Sequence, residues 1–409
     1  IHLRAIKVQQ LPDTVDKLLI LRYLNLAQSE IQALPKSLCK LRNLRILNLA
    51  HCEKLQNLPS QIHNLENLHV LKLAYCTKLQ MLPISVTGLV NLQELDLEGC
   101  QWLVELPEGL SNMRKLTNLN VYRCPLNQML HKISQISNLL KLSGYIIIGD
   151  IGNAFSETSK PIWLQVLERL QPNSNLKKLE IILYADEEFL VWIKERFYYL
   201  HRLKEIKLIN LKRCKMLPSL GQLLSLEIIE ISGMDLINII DETFYGDNGT
   251  FPELRELTFS HMPALEKWLK VGREEFLFSE LYELTLIQCP KFKALEVHLR
   301  VSTLSIWLNN KMLQTSEFKG WHNLQHIRDL EIVGCQELRC LPRDMERCVK
   351  LDSLRIIGCE NLDFLPEWLQ GFNLLNSLFI YGCRALSSMP EELKLLPVVD
   401  VKGCPKLRL

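Results

Sequence analysis

The sequence predicts an α/β solenoid, in which short parallel strands stack rung upon rung and are joined by short helical, 3-10 or irregular return segments. Three observations carry this. Apolar residues recur at an offset of 24 residues, they alternate in one half of each repeat, and they step by three in the other half. Leu44, Leu47, Leu49, Cys52, Leu55, Leu58 and Pro59 align one for one with Leu68, Leu71, Leu73, Cys76, Leu79, Leu82 and Pro83. The pattern continues through Leu92, Leu95, Leu97, Cys100 and Pro107, fades near Cys124, and returns at Ile327, Leu351 and Leu375.

The first half reads L-x-x-L-x-L-x-x-C-x-x-L, a leucine-rich repeat. Its alternation suits a short strand with one buried face, and the following Leu-Pro closes the turn. In the second half Pro59, Ile62, Leu65 and Leu68 share the spacing of Pro83, Val86, Leu89 and Leu92. A step of three suits a 3-10 or short helical return, with proline at its start, where a missing N–H costs least. One rung cannot bury its own leucines, but a stack can. The expected product is a curved horseshoe, with a parallel sheet on its concave face and the return segments on its convex face.

Cysteine usage fits the same frame. Nine of the 13 cysteines (Cys52, Cys76, Cys100, Cys124, Cys289, Cys335, Cys359, Cys383 and Cys404) hold the ninth position of a repeat. There a small side chain with a weak donor can pack beneath the backbone of the next rung. A disulfide framework is the rival reading, but the count is odd and a chain of this length needs no staples. Buried free thiols imply a reducing compartment.

The whole chain, 1–409, reads as one repeat domain. Residues 1–142 and 327–409 are regular. Residues 143–326 hold uneven repeats at Leu176, Leu203, Leu226, Leu254, Leu281 and Val301, with excursions at 143–175 and 235–250. A helix is expected over 161–170. Around 202–217 two registers compete, one from Leu203 and one from Ile206, which leaves Cys214 unassigned.

A net charge of +2 and 23% charged residues demand neither nucleic acid nor an anionic membrane as partner. No run reaches the roughly 18 apolar residues of a membrane span. The chain opens at Ile1 without a signal-like leader and reads as an internal fragment. Asn248-Gly249-Thr250 is the only glycosylation sequon found, fewer than a secreted ectodomain of this length would offer, so a cytoplasmic protein is expected. A fragment of this kind is expected to be monomeric.

The irregular middle carries a family resemblance. Asn138-Leu139-Leu140-Lys141-Leu142, Tyr145-Ile146-Ile147-Ile148-Gly149 and Val166-Leu167-Glu168-Arg169-Leu170-Gln171-Pro172-Asn173-Ser174-Asn175-Leu176-Lys177-Lys178-Leu179 come in that order. Leu217-Pro218-Ser219-Leu220-Gly221-Gln222-Leu223 then leads through Ile231-Ser232-Gly233-Met234 to Phe244-Tyr245-Gly246, Phe251-Pro252, Met262-Pro263 and Trp268. This order resembles the leucine-rich-repeat domain of plant intracellular nucleotide-binding leucine-rich-repeat (NLR) disease-resistance proteins of the coiled-coil class. Leu224 replaces a proline common in that segment, and Leu211 stands where a cysteine is common.

The resemblance implies a sensing and autoinhibitory domain of an innate immune receptor. Such a domain recognises a pathogen effector, or a guarded host protein the effector alters, and restrains the receptor's own nucleotide-binding module. ADP or ATP would bind that upstream module, so no cofactor is expected in this chain. Activation, oligomerisation, and plasma-membrane or nuclear residence would belong to the parent receptor.

In the repeat the second, third, fifth, seventh and eighth positions face the concave surface, so large side chains there are candidate anchors. Tyr75, Tyr122, Trp307, Phe379 and Tyr381 fall in such slots, with Arg328, Glu331, Arg355 and Lys402 beside the C-terminal ones. The acidic group Glu94, Asp96 and Glu98 is a candidate intramolecular contact to a basic domain of the resting receptor.

No catalytic residue is assigned. Gly144 to Gly149 resembles the start of a phosphate loop, but Asp150 stands where a lysine must reach phosphate. His322, His326, Cys335 and Cys340 lack zinc-finger spacing, and Cys335 belongs to the ladder. Rival readings are a substrate-recognition adaptor of a ubiquitin ligase, which needs an F-box upstream, and a receptor-kinase ectodomain, which needs a leader and capping cysteines.

Overall fold

The computed structural model describes residues 1, 8–125, 139–143, 174–182, 200–246, 249–270, 277–309, 311–313 and 318–407. The helix expected over 161–170 lies outside them. The chain forms two compact units, Ile1–Ala185 with Leu190–Leu203, and Asp186–Phe189 with Lys204–Leu409.

In the first unit β1 (Tyr23–Asn25), β2 (Ile46–Asn48), β3 (Val70–Lys72), β4 (Glu94–Asp96), β5 (Asn118–Asn120), β6 (Lys141–Ser143) and β7 (Lys178–Ile182) pair in parallel and in sequence order. The register places Leu24, Leu47, Leu71, Leu95 and Leu119 side by side. All five are buried. Each rung alone exposes this row, and stacking removes it from water at about 25 cal/mol per Å².

The second unit carries β8 (Glu205–Ile209), β9 (Ile228–Ser232), β10 (Ile239–Ile240), β11 (Glu256–Ser260), β12 (Lys267–Trp268), β13 (Glu283–Ile287), β14 (Ala294–Leu295), β15 (Thr303–Trp307), β16 (Asp329–Val333), β17 (Ser353–Ile357), β18 (Ser377–Tyr381) and β19 (Val398–Lys402). Of these β10, β12 and β14 form a narrow second parallel sheet at the far end of the rung, and the others form the main sheet. The excursion at 235–250 keeps the repeat through Ile237 and Ile240, then inserts a helical turn, Glu242–Tyr245, capped by Asp241. Phe244 and Tyr245 from this turn are buried among Phe251, Phe259, Trp268 and Phe278, and Trp268 Nε1 donates to the Tyr245 hydroxyl at 2.7 Å. The insertion is therefore a second aromatic core rather than a loose loop.

Strand length differs among the rungs, and one slot accounts for four of the short strands; β3 is equally short with Lys72 in that slot. At the fifth position Asn25, Asn48, Asp96 and Asn120 each accept the N–H of the seventh residue through a side-chain oxygen, at 3.0–3.2 Å. That turn takes the N–H out of the ladder and ends the strand after three residues. Lys207, Glu230, Thr258, Thr285, Ser305, Glu331, Arg355 and Phe379 hold the slot in the second unit, and their strands run on for five. Asp400 also sits there, but its carboxylate is taken by Tyr381 and Lys402.

The return segments are 3-10 turns such as Lys36–Lys40, Ile84–Gly88 and Arg343–Arg347. Proline sits one residue ahead of the expected place. Pro35, Pro83 and Pro342 are extended, and their carbonyls accept the first bond of the turn.

The thiol ladder is present, with a different partner from the one expected. Cys52, Cys76, Cys100 and Cys124 donate Sγ–H to the carbonyls of Leu26, Leu49, Leu73 and Leu97 at 3.0–3.2 Å, so each reaches the preceding rung and not the next. In the second unit the same contacts lengthen, to 3.7 Å for Cys289 and 4.0 Å for Cys383. All cysteines are free thiols, and Cys404 is only half-buried. Asn309 takes the ninth position of its rung, donating to Leu286 O at 2.6 Å and accepting the Cys289 N–H.

The competing registers at 202–217 resolve in favour of Leu203. Ile206 pairs with Ile229 and Leu208 with Ile231, which puts Leu211 in the ninth position. Cys214 fills the twelfth, an ordinary leucine slot, and is buried.

Candidate protein-recognition surface

Side chains at the third, fifth and seventh positions stand on the sheet face opposite the buried leucines. In β15 to β19 six sequence-predicted residues meet in one continuous run. Trp307 Nε1 donates to Glu331 Oε2 at 3.1 Å, and Glu331 pairs with Arg355 at 3.3 Å. The Arg355 guanidinium lies 5.1 Å over the Phe379 ring, whose centroid is 6.5 Å from that of Tyr381. Tyr381 OH donates to Asp400 Oδ2 at 2.8 Å, and Lys402 Nζ binds the same oxygen at 2.7 Å while lying 5.5 Å over the Tyr381 ring.

Exposed ion pairs and cation–π contacts are screened by water and add little stability. What it supplies is order. The rings are held in place before any partner arrives, which lowers the entropy lost on association. Electrostatics follow the contacts: the Lys402 ammonium and the Tyr381 hydroxyl hold the Asp400 carboxyl below the usual carboxylate range, and the hydrogen bond to Asp400 raises the Tyr381 phenol. Arg328 is exposed just ahead of β16 and makes no side-chain hydrogen bond or ring contact with the run among the described residues.

Sequence reasoning missed three members. Asp400 is one. Val333 and Ile357 are the others, half-exposed at the seventh position between Trp307 and Tyr381 in the pairing register. The neighbouring eighth position holds Gly334, Gly358 and Gly382; the Leu308 side chain lies against Gly334, and no side chain comes within 4 Å of a Cβ at Gly358 or Gly382, so the row is bare there. The glycine run was the available signal.

The first unit groups its candidates differently. Tyr75 stacks on His51 at 4.7 Å, donates its hydroxyl to Glu98 at 2.6 Å, and lies so close to Gly99 that a Cβ there would sit 2.7 Å from its ring. Arg123 contacts both the Tyr75 hydroxyl and the Tyr122 ring. Of the acidic group, Glu94 pairs with Lys72 at 3.3 Å, Glu98 also accepts from Asn120, and burial raises the Asp96 carboxyl. Glu94 and Glu98 thus also hold partners inside the unit.

His326, one of the considered metal residues, packs edge-on to His298 at 5.8 Å, and Cys335 is buried with its thiol directed to Asn309 O. Among the described residues no group of three or more His, Cys, Asp or Glu could hold a metal, and no helix is long and apolar enough to cross a membrane.

Comparison with known proteins agrees with the repeat geometry. Residues 38–289 match the family model of a leucine-rich repeat region. A disease-resistance RPP13-like protein 1 of Arabidopsis thaliana is 33% identical over 137 residues, covering 31% of this chain and 13% of that protein. Disease resistance protein RGA2 of Solanum bulbocastanum is 30% identical over 189 residues, 44% of this chain and 19% of its own length. The chain thus spans a small part of these relatives. A solved leucine-rich-repeat protein of Leptospira interrogans, LIC12759, aligns over 99% of this chain and 94% of its own at 19% identity, with a TM-score of 0.47. The chain belongs to the leucine-rich repeat region family, and its relatives are plant disease-resistance proteins.

Proposed function

We propose that this chain is the sensing domain of a plant NLR immune receptor and acts inside the cell. It binds a pathogen effector, or a host protein an effector has altered, through the face of β15 to β19. The run from Trp307 to Lys402 carries the proposal, because it pre-positions aromatic rings and paired charges across five adjacent strands. Tryptophan, tyrosine and arginine are the residues that dominate binding energy at protein interfaces.

Control of an upstream nucleotide switch follows only if the ligand binds the active arrangement better than the resting one. Moving a switch from 1:99 to 99:1 takes about 5.5 kcal/mol of differential affinity, within reach of a few anchors of this kind. The acidic group Glu94, Asp96 and Glu98 is proposed as the resting contact to the receptor's other domains, its net negative charge surviving the single Lys72 pair.

The test is co-expression in leaf tissue of a receptor carrying these repeats with candidate effectors, comparing wild type with Trp307→Ala, Phe379→Ala and Tyr381→Ala at matched abundance. Loss of cell death at unchanged abundance is expected. Unchanged responses to every effector would contradict the assignment.

A further inference from the structure

Every described eighth-position residue holds a left-handed backbone, with φ from 51° for Gln288 to 68° for Gly403. Side chains there form a row along the edge of the sheet. In the first unit the row is closed by its own contacts, Tyr75 stacking on His51, covering Gly99 and receiving Arg123. In the second unit the row begins Asn210, Gly233, His261, Gln288 and Leu308; Asn210 lies against Gly233 and Leu308 against Gly334, but His261 and Gln288 stand exposed, and the row borders an open groove of about 730 Å³.

The opposite wall of the groove comes from the tenth position, with Lys212, Asp235, Pro263 and Pro290. The backbone N–H groups of Asn210, Gly233, His261, Gln288 and Leu308 all donate to the adjacent rung, so only side chains are left to bind. Lys212, His261 and Gln288 are exposed, and among the described residues the side chains of Lys212, Asp235, His261 and Gln288 have no hydrogen-bond or ion-pair partner.

We propose that this groove binds an extended peptide segment of a protein partner, separately from the β15 to β19 surface. Length is one argument. Five rungs at about 4.8 Å spacing span roughly 20 Å, the reach of about six extended residues. Chemistry is the other. Carboxamides and an imidazole supply donors and acceptors to match the alternating N–H and C=O of an extended backbone, while Pro263, Pro290 and Leu308 offer apolar contact to its side chains. One lysine against one aspartate gives no cationic excess for a nucleic acid strand.

The probe is a phage-displayed library of random peptides of about seven residues, panned on the full chain. His261→Gly and Gln288→Gly remove the side chains without straining the positive φ, and thermal melting checks that both variants keep the fold. Enriched peptides should lose about fivefold to tenfold in affinity with each variant and keep full affinity for Trp307→Ala. Three results would overturn the proposal: no enrichment over uncoated support, enriched peptides that bind both glycine variants as well as wild type, or loss confined to Trp307→Ala.

Discussion

The two units use one repeat and finish it differently. In the first, asparagine or aspartate at the fifth position ends four strands early, and the eighth-position row folds onto itself through His51, Tyr75, Glu98 and Arg123. In the second, the strands run two residues further. Their added length places Trp307, Val333, Ile357 and Tyr381 in a row beside Leu308, Gly334, Gly358 and Gly382, and the eighth-position row from Asn210 to Leu308 borders an open groove. The buried leucines are interchangeable between the units. The fifth and eighth positions are where the units differ most at the surface.

Alkali should break the two units alike, because both bury thiols. Burial pushes Cys100 in the first unit and Cys289 in the second from the ordinary 9.0 to about 12. The unfolded chain ionises these thiols before the folded one does, so their contribution is complete below pH 9 and is lost as pH rises toward 12. The slope is about 1.4 kcal/mol per pH unit for each such thiol. Urea unfolding between pH 8 and pH 11 should show this loss, and a flat profile would mean the thiols are not held in the folded interior.

A second contrast sets the one asparagine rung against a thiol rung. Asn309→Ala leaves the Cys289 N–H and the Leu286 carbonyl without their partner, at a cost of about 4 kcal/mol. Cys100→Ala removes one weak donor and a small volume, about 1.5 kcal/mol. Equal losses in urea denaturation would show that the asparagine bonds are not special.

The filled and bare glycine rows separate next. Gly99→Ala meets both the left-handed backbone and the Tyr75 ring, about 3 kcal/mol, whereas Gly358→Ala meets the backbone alone, about 1 kcal/mol, since nothing lies within 4 Å of its added Cβ. Thermal melts rank the pair, and the reverse order would remove Tyr75 from the row. Smallest is Asn48→Val, which frees the Ala50 N–H to join a longer β2. Stability should change by less than about 1 kcal/mol, and the Ala50 amide should stay protected in hydrogen exchange. An unprotected amide would show that the fifth residue does not set strand length.

The 24-residue offset made the rungs, the ladder and the strand register legible, because every buried position is fixed by the same spacing. Cys214 was not legible. Its register depended on whether Leu203 or Ile206 opened the rung, and both are apolar at acceptable intervals. The buried aromatic core was hidden because Phe244, Tyr245 and Phe251 lie in an insertion with no repeat spacing to mark them. At the surface, Trp307, Phe379 and Tyr381 stood out as large residues in open slots. Val333 and Ile357 did not, since aliphatic residues in a strand resemble core until the pleat is known. The open groove was invisible because it depends on exposed side chains such as Lys212, His261 and Gln288 standing without partners, which no spacing marks.

The proposed recognition surface lies on the second unit's extended strands and not on the first unit's closed row. Two matched triple-alanine sets in a receptor carrying these repeats test it, one at His51, Tyr75 and Tyr122 and the other at Trp307, Phe379 and Tyr381. Both are scored for effector-triggered leaf cell death at equal abundance. The second set should abolish the response while the first preserves it. Loss with the first set alone would contradict the claim.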